Sequence, residues 1–249
     1  MSLVFLIYGA IAYIVFLAAF LYLIVFIGGE MTAFAQAPKT LDWGSSPVDG
    51  APPALINILL LLLFAVPHTI MARQWFKTGW TKLVAPPAER STYVLASSLL
   101  LFVLYYLWIP MPQIVWQAGS PWGIVLTVLF FGGFGLVLLT TFLINHFELF
   151  GLMQSWYRYQ GRALPPPTFH EPILYRQVRH PLYLGWIIAF WSTPTMTVGH
   201  LLFAAVWTVY IFVAVGYEER DLVRIFGEKY RDYMARVPMI LPFGRRKGG

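Results

Sequence analysis

Apolar residues in this chain are gathered into long unbroken blocks separated by short polar stretches. The blocks follow neither the period of a helix with one wet face nor the alternation of a half-buried strand, and such runs predict helices surrounded by lipid. Six can be marked: Leu3 to Ile27, Ala54 to Met71, Thr92 to Ile109, Trp122 to Asn145, Leu182 to Pro194 and Leu201 to Tyr217. The first four approach or exceed the ~20 residues that span a hydrocarbon core, while the fifth is too short to cross without tilt or local thinning. The fifth and sixth predict a helical hairpin turning at Pro194 to Gly199. Beyond them Leu222 to Val237 keeps helical spacing. Tyr217, Asp221, Arg224 and Glu228 make a polar stripe, and Leu222, Ile225, Phe226, Tyr230 and Tyr233 offer aromatic and aliphatic contacts, which predicts an amphipathic helix at the membrane surface. The fold class expected is therefore all-α integral membrane, with five to six transmembrane helices, the last two a short hairpin, and a C-terminal amphipathic cytoplasmic helix. No internal repeat is visible, and residues 1–249 read as a single membrane domain, with a four-helix part over 1–150 and the hairpin and C-terminal helix over 151–249.

Composition strengthens the lipid assignment. Of 249 residues, 59% are hydrophobic and only 11% charged, against about 25% charged in an average soluble domain, too few to build a water-facing surface. With no cysteine, disulfides, thiolate metal sites and a cysteine nucleophile are excluded. The net charge of +6 sits mostly in loops and the C-terminus, so it speaks to topology and anionic lipid rather than to nucleic acid. Gly28 to Pro53 holds one Lys against one Glu and two Asp, and Pro110 to Pro121 and Thr195 to His200 hold no Lys or Arg; these belong outside. The connection bearing Arg73, Lys77, Lys82 and Arg90, the one bearing Arg158, Arg162, Arg176 and Arg179, and the tail bearing Arg220, Arg224, Lys229, Arg231, Arg236, Arg245, Arg246 and Lys247 belong inside. Both termini are then cytoplasmic, in what reads as a bacterial inner membrane. Ala33-Phe34-Ala35 resembles a signal-peptidase site, yet no basic residue precedes the first block and its apolar run is too long for a signal peptide, so it is expected to be retained. Trp108, Trp116, Trp122, Tyr105 and Tyr106 are expected as interfacial anchors, and Gly28 to Pro53 as an external loop that folds over the helices.

Ionisable groups at a membrane are expensive and mark function, and two places qualify. The first is Tyr175-Arg176-Gln177-Val178-Arg179-His180-Pro181-Leu182-Tyr183-Leu184-Gly185, where Pro181 suits the first turn of a helix and leaves Arg179 and His180 just outside it. Its exposed N–H groups and positive end suit an anion such as a carboxylate. The second is Glu218-Glu219-Arg220-Asp221, at the end of the sixth block, where acids oppose the helix dipole. The hairpin brings the two places together, so a cationic edge is expected to face an acidic edge across a gap, an arrangement suited to a zwitterion. Two structural alternatives stand beside it: Arg179 and His180 as plain positive-inside residues, and a direct pairing of Glu218 or Glu219 with Arg179.

At these residues the chain resembles the isoprenylcysteine carboxyl methyltransferase-like superfamily of integral membrane methyltransferases. The match is Arg179-His180-Pro181-x-Tyr183-x-Gly185, a membrane hairpin, then Glu218-Glu219-x-x-Leu222-x-x-x-Phe226-Gly227-x-x-Tyr230-x-x-Tyr233, closing with Val237-Pro238 and Leu241-Pro242. Within it the chain is most similar to the bacterial methanethiol S-methyltransferases, which make dimethyl sulfide, through Asn145-His146-Phe147-Glu148-Leu149-Phe150-Gly151, Phe190-Trp191-x-x-Pro194-x-Met196-Thr197-x-Gly199-His200-Leu201 and Glu218-Glu219-Arg220-Asp221-Leu222. The resemblance implies S-adenosylmethionine as methyl donor, bound between the hairpin and the C-terminal helix, with Tyr175, Arg179, His180, Tyr183, Gly185, Glu218 and Glu219 as its candidate ligands.

The acceptor it implies is a small membrane-permeant thiol, and the remaining polar residues are candidates for activating it. His146 has the pKa class of a general base, Arg220 could stabilise a thiolate, and Tyr210 lies about two turns inside the sixth block. Each has a structural alternative, respectively an interfacial histidine, a lipid-headgroup contact and packing. His68, after Pro67, and His170-Glu171 are further polar positions, and five scattered histidines make no metal-ligand spacing. Three other functions stay open: methylation of a lipid-borne acceptor such as a prenylcysteine carboxylate or phospholipid amine, a non-catalytic membrane subunit related to denitrification proteins, and a sterol-reductase-like protein using a nicotinamide cofactor.

Overall fold

The structure, a computed structural model, describes residues 2–33, 37–48 and 50–242. Phe34 and Ala35 of the cleavage-like site and Arg245, Arg246 and Lys247 of the basic tail lie outside the described residues. The chain runs α1 (Ser2–Gly28), α2 (Pro53–Met71), α3 (Gln74–Trp80), α4 (Pro86–Leu107), β1 (Ile114–Gln117), α5 (Trp122–Ile144), α6 (His146–Leu149), α7 (Leu152–Tyr159), α8 (Pro181–Trp191), β2 (Thr195–Thr197), α9 (Val198–Phe226) and α10 (Glu228–Arg236), with single 3-10 turns at Gly29–Met31 and Ile173–Arg176. The all-α integral membrane class holds: among the described residues, five helices (α1, α2, α4, α5 and α9) are long and apolar enough to cross a membrane. The fifth block is α8, of only 11 residues, or roughly 16 Å at ~1.5 Å per residue, about half the depth of a hydrocarbon core.

Several boundaries differ from the sequence expectation. Helix α4 starts at Pro86 rather than Thr92, because the Pro86-Pro87 pair suits a first turn and lets the polar residues 89–91 join the helix. The turn after α8 contains β2, which pairs antiparallel with β1 through Ile114↔Thr197, Trp116↔Met196 and Gln117↔Thr195. The amphipathic stretch Leu222 to Val237 is not one helix: α9 runs unbroken to Phe226, Gly227 takes φ +61°, and α10 starts afresh at Glu228. A side chain at that φ is disfavoured, so the glycine marks the break. The polar stripe is cut there, and Ile225 is exposed at 59%.

Two compact units make up the chain. The first comprises residues 1–117, 145–165 and 195–203. Residues of the α1–α2 connection are tied down by hydrogen bonds: Trp108 Nε1 donates to the Leu41 carbonyl at 3.0 Å, Ser46 Oγ to Leu107 O at 2.9 Å and Thr197 Oγ1 to Asp42 Oδ1 at 2.5 Å. Trp108 and Tyr105 correct an expectation. They are 0% and 2% exposed and pack with Phe26, so they form core, while Tyr106 and Trp116 remain outward. A full side chain of hydrogen-bonding aromatic is stable in such a core because its polar atom has a partner: Tyr105 Oη donates to Ala19 O at 3.0 Å.

The second unit comprises residues 118–144, 166–194 and 204–249. Helices α5 and α8 cross at a pair of glycines. A Cβ added to Gly133 would stand 2.6 Å from Ala189 N, and one on Gly185 2.9 Å from Gly133 O, so only hydrogen fits at either position. Small residues of this kind let backbones approach and gain van der Waals contact where lipid gives no hydrophobic drive. The α8–α9 hairpin is present as expected. Trp191 Nε1 donates to Thr208 Oγ1 at 2.9 Å, and Phe190 packs against Trp207 at 6.2 Å.

Candidate functional site

The start of α8 is held by the chain that follows α10. Pro181 occupies the first turn and His180 the N-cap, and the backbone N–H groups of Arg179 and His180 donate to the carbonyls of Pro238 at 2.9 Å and Met239 at 3.0 Å. The Arg179 side chain completes the clamp. Its Nη1 donates to Met234 O at 3.0 Å and Val237 O at 2.6 Å, the orphan carbonyls at the end of α10. Its Nε donates to Glu219 Oε1 at 2.7 Å, and His180 Nε2 donates to the same oxygen at 3.0 Å. One residue back, Glu218 accepts a hydrogen bond on Oε2 from Tyr183 Oη at 2.8 Å.

The expected gap between a cationic and an acidic edge is therefore not there. Arg179 and His180 pair directly with Glu219, the alternative the sequence left open, because the hairpin crossing brings the two helices within side-chain reach. The dipole argument for the acids also weakens, since α9 continues two turns past Glu219 and the terminal field decays within about the last turn. Two adjacent carboxylates thus have different surroundings. Glu219 accepts from both Arg179 and His180, while the only side-chain hydrogen bond Glu218 makes among the described residues comes from Tyr183.

Beneath the cluster lies an aromatic layer. Tyr230, Tyr233 and Val237 are buried, with Phe169, Leu222, Val223, Phe226 and Met234 packed around them. Tyr233 Oη donates to the Tyr175 carbonyl at 2.5 Å, fixing the turn that leads toward α8. Burial, then the negative charge of Glu218, pushes the Tyr175 phenol well above its ordinary range; burial followed by Glu219 does the same for Tyr230. These rings stay neutral and present uncharged faces. Gly185, by contrast, is occupied with the α5 crossing. A shallow open depression of about 700 Å³ borders the layer, lined by Phe169, His170, Glu171, Pro172, Arg176, Arg236 and Val237, with Arg236 Nη2 donating to Glu171 Oε1 at 2.9 Å.

The other candidates are placed as follows. Tyr210 is half-buried on α9, its ring edge-on to Trp207 at 5.3 Å. Arg220 is exposed, with its guanidinium 5.6 Å over the Tyr217 ring. His68 lies with Tyr93 and Ser97, Tyr93 Oη standing 2.8 Å from its Nε2. His146 belongs to the first unit. It is buried, and its Nε2 shares a 2.8 Å hydrogen bond with Tyr13 Oη, a partner 133 residues away that no local spacing could disclose. The backbone carbonyls of Met234 and Val237, which hold Arg179, were equally illegible, although a chain turning at Val237-Pro238 signals where α10 must end.

Compared with curated proteins, the chain is 50% identical over 239 residues to methanethiol S-methyltransferase 1 of Bradyrhizobium diazoefficiens, covering 96% of this chain and 82% of that one. It is 48% identical over 242 residues to the methanethiol S-methyltransferase of Mycobacterium tuberculosis, covering 96% of each. More distantly, it is 30% identical over 176 residues to Nurim of Rattus norvegicus, covering 67% of this chain and 66% of that protein. No family model and no solved structure matches it.

Proposed function

The chain belongs to the methanethiol S-methyltransferase family, and from that membership and the hairpin cluster we propose that it methylates methanethiol to dimethyl sulfide with S-adenosylmethionine as donor. The observation that carries the cofactor assignment is Glu218, a carboxylate aimed by the Tyr183 hydroxyl and otherwise without a hydrogen bond among the described residues. A carboxylate so held is an acceptor for an ammonium or for ribose hydroxyls.

The donor set fits the rest of a zwitterionic nucleoside. The first-turn N–H groups of α8, beside the Arg179 charge, favour a carboxylate. Tyr175, half-buried beside the aromatic layer, offers a face to a flat base or a cation, while the buried Tyr233 holds its carbonyl. Arg179, Glu219 and His180 then serve as the frame that fixes α8 against α9 and α10, and Gly185 lets α8 seat on α5. Bound S-adenosylmethionine supplies an electrophilic methyl group. The protein's part is to orient it, exclude water and present a thiolate in line, and positioning of this kind removes much of the barrier. His146, buried and so pushed below the ordinary imidazole pKa, is neutral at physiological pH and fit to accept the thiol proton. The loop charges favour a cytoplasmic position for both termini and the hairpin cluster.

The test uses purified full-length protein in lipid nanodiscs. Incubation with S-adenosylmethionine and methanethiol should release dimethyl sulfide into the headspace, and Glu218→Gln and Tyr183→Phe should each weaken S-adenosylmethionine binding about tenfold in calorimetry, the worth of one hydrogen bond to a charged group. Binding without dimethyl sulfide would overturn the acceptor; absence of binding in the wild type would overturn the cofactor.

A further inference from the structure

Beside the end of α10, the depression of about 700 Å³ has charge built into its wall, and all of its lining residues belong to the second unit. Its two arginines both hold Glu171: Arg236 Nη2 donates to the Oε1 atom at 2.9 Å, and Arg176 Nε to the backbone carbonyl at 3.1 Å. Only the first of these contacts neutralises charge. Two guanidiniums thus line the wall with one carboxylate, which leaves it a net positive charge. Among the described residues the Nη groups of Arg176 take no hydrogen bond, so its paired donors remain for an incoming acceptor.

Position decides which anion can arrive. Arg176 closes the 3-10 turn Ile173–Arg176, shortly before Pro181 opens the apolar helix α8. From the other side, Arg236 precedes Val237 and Pro238, and the Pro238 carbonyl accepts from Arg179 N–H at 2.9 Å. The depression therefore lies beside the point where an apolar helix leaves a polar segment, the level at which lipid headgroups sit. In the same turn as Arg176, Ile173 is 71% exposed, an apolar side chain set outward next to the basic wall.

We propose that this depression binds the headgroup of an anionic phospholipid, with the phosphodiester held by the Arg176 and Arg236 guanidiniums and Ile173 set against the acyl region. Planar guanidiniums match phosphate oxygens through paired N–H donors, and their long stems lie along apolar surface while the charged heads reach the headgroup level. Net charge then selects among lipids. A zwitterionic headgroup brings an ammonium, and the carboxylate on this wall is already engaged with Arg236. A lipid of net negative charge instead answers the second guanidinium. Free phosphate shares the charge but not the apolar part, so the contact at Ile173 separates the two sources.

The experiment titrates purified full-length protein, in a phosphate-free detergent, with dioctanoyl phosphatidylglycerol, dioctanoyl phosphatidylcholine and glycerol 3-phosphate, and reads binding by native mass spectrometry. Wild type should bind the phosphatidylglycerol at least about tenfold more tightly than either of the others, about the factor that one hydrogen bond to a charged group supplies. Arg176→Gln should weaken that binding about tenfold. Glu171→Gln removes the opposing charge and should tighten it. Arg224→Gln makes the same change in net charge as Arg176→Gln at an exposed position on α9 outside the depression, and should leave it within about twofold. Thermal unfolding and S-adenosylmethionine binding are followed in every variant. A structural role for these residues predicts losses of the same sign in Arg176→Gln and Glu171→Gln, and that result overturns the proposal. Equal binding of the two lipids, or equal losses in Arg176→Gln and Arg224→Gln, reveals a diffuse surface field and overturns it as well. Glycerol 3-phosphate binding as tightly as the phosphatidylglycerol assigns the wall to free phosphate. If Arg176→Gln weakens S-adenosylmethionine binding and leaves the lipid unaffected, the depression belongs to the cofactor, and the lipid site is wrong while the methyltransferase reading stands.

Discussion

Replacing Gly133 by alanine tests whether the hairpin site is set by a helix crossing in the second unit. The added Cβ would stand 2.6 Å from Ala189 N, 2.8 Å from Gly185 O and 2.9 Å from Ala189 Cα, all backbone atoms that cannot rotate away. Restoring an ordinary ~3.5 Å contact means parting α5 and α8 by roughly 0.9 Å, and overpacking of this kind costs about 1–3 kcal/mol. Gly132 and Gly135 on the same helix supply the control, because nothing lies within 4 Å of a Cβ at either. There alanine should be neutral or stabilising by up to about 1 kcal/mol through helix propensity. Subtracting Gly132→Ala from Gly133→Ala cancels propensity and leaves the contact. A consequence for the site follows, since α8 carries Tyr183, and a displacement of that size along its 2.8 Å bond to Glu218 takes it past hydrogen-bonding range. Unfolding in mild detergent should therefore show Gly133→Ala and Gly185→Ala about 1–3 kcal/mol less stable than Gly132→Ala, with weaker S-adenosylmethionine binding. If Gly133→Ala matches Gly132→Ala in both, the crossing does not set the site and the reasoning is wrong.

Glu219→Gln removes the charge that answers Arg179 and His180 and should lower stability by about 2–3 kcal/mol, whereas Glu218→Gln should leave the unfolding midpoint nearly unchanged and act on cofactor binding. Arg220→Ala removes an exposed cation–π contact and should change stability by less than about 1 kcal/mol, with dimethyl sulfide production within about twofold of wild type; a hundredfold loss would instead assign Arg220 to thiolate stabilisation. His146 gives a pH dependence. Its folded-state pKa lies below the unfolded value, so the unfolded chain binds more protons just below about pH 6.5, and stability should fall as pH drops through that window while staying flat above it. Unfolding midpoints between pH 5 and 8 for wild type and His146→Gln check this, the variant losing that slope.

The fold was legible wherever a single physical variable decides it. Apolar runs long enough to cross a bilayer located α1, α2, α4, α5 and α9, and the short run before Pro194 located the hairpin. What the runs could not show depends on contacts between distant residues. Trp108 reads as an interfacial anchor in sequence because indoles favour that level, yet its N–H finds the Leu41 carbonyl and the ring is buried. The β1–β2 pair escaped for the same reason, its strands being too short to show alternation and separated by almost eighty residues. The break between α9 and α10 was readable in principle, since Gly227 interrupts the stripe, but a glycine can also sit quietly inside a helix, and only its φ of +61° decides.

At the site, residue types were legible and partnerships were not. Spacing places Glu218 and Glu219 at the same level opposite Arg179 and His180, but a carboxylate beside a cation satisfies the same sequence pattern whether it serves the fold or a ligand. The hydrogen bonds separate the two. Glu219 receives Arg179 and His180, so moving a ligand onto it would mean breaking a partly buried ion pair whose removal leaves two donors unsatisfied. Glu218 receives one phenolic hydroxyl and retains acceptor capacity, so a ligand adds a bond there without breaking one. Arg179 is committed as well, to one carboxylate oxygen and two carbonyls from α10 and its exit. The cationic edge that suggested an anion site in sequence is thus mainly a staple joining α8, α9 and α10. In the function proposed above, recognition of a zwitterion then falls to what the staple holds in place: the first-turn N–H groups of α8, the Glu218 carboxylate and the Tyr175 ring.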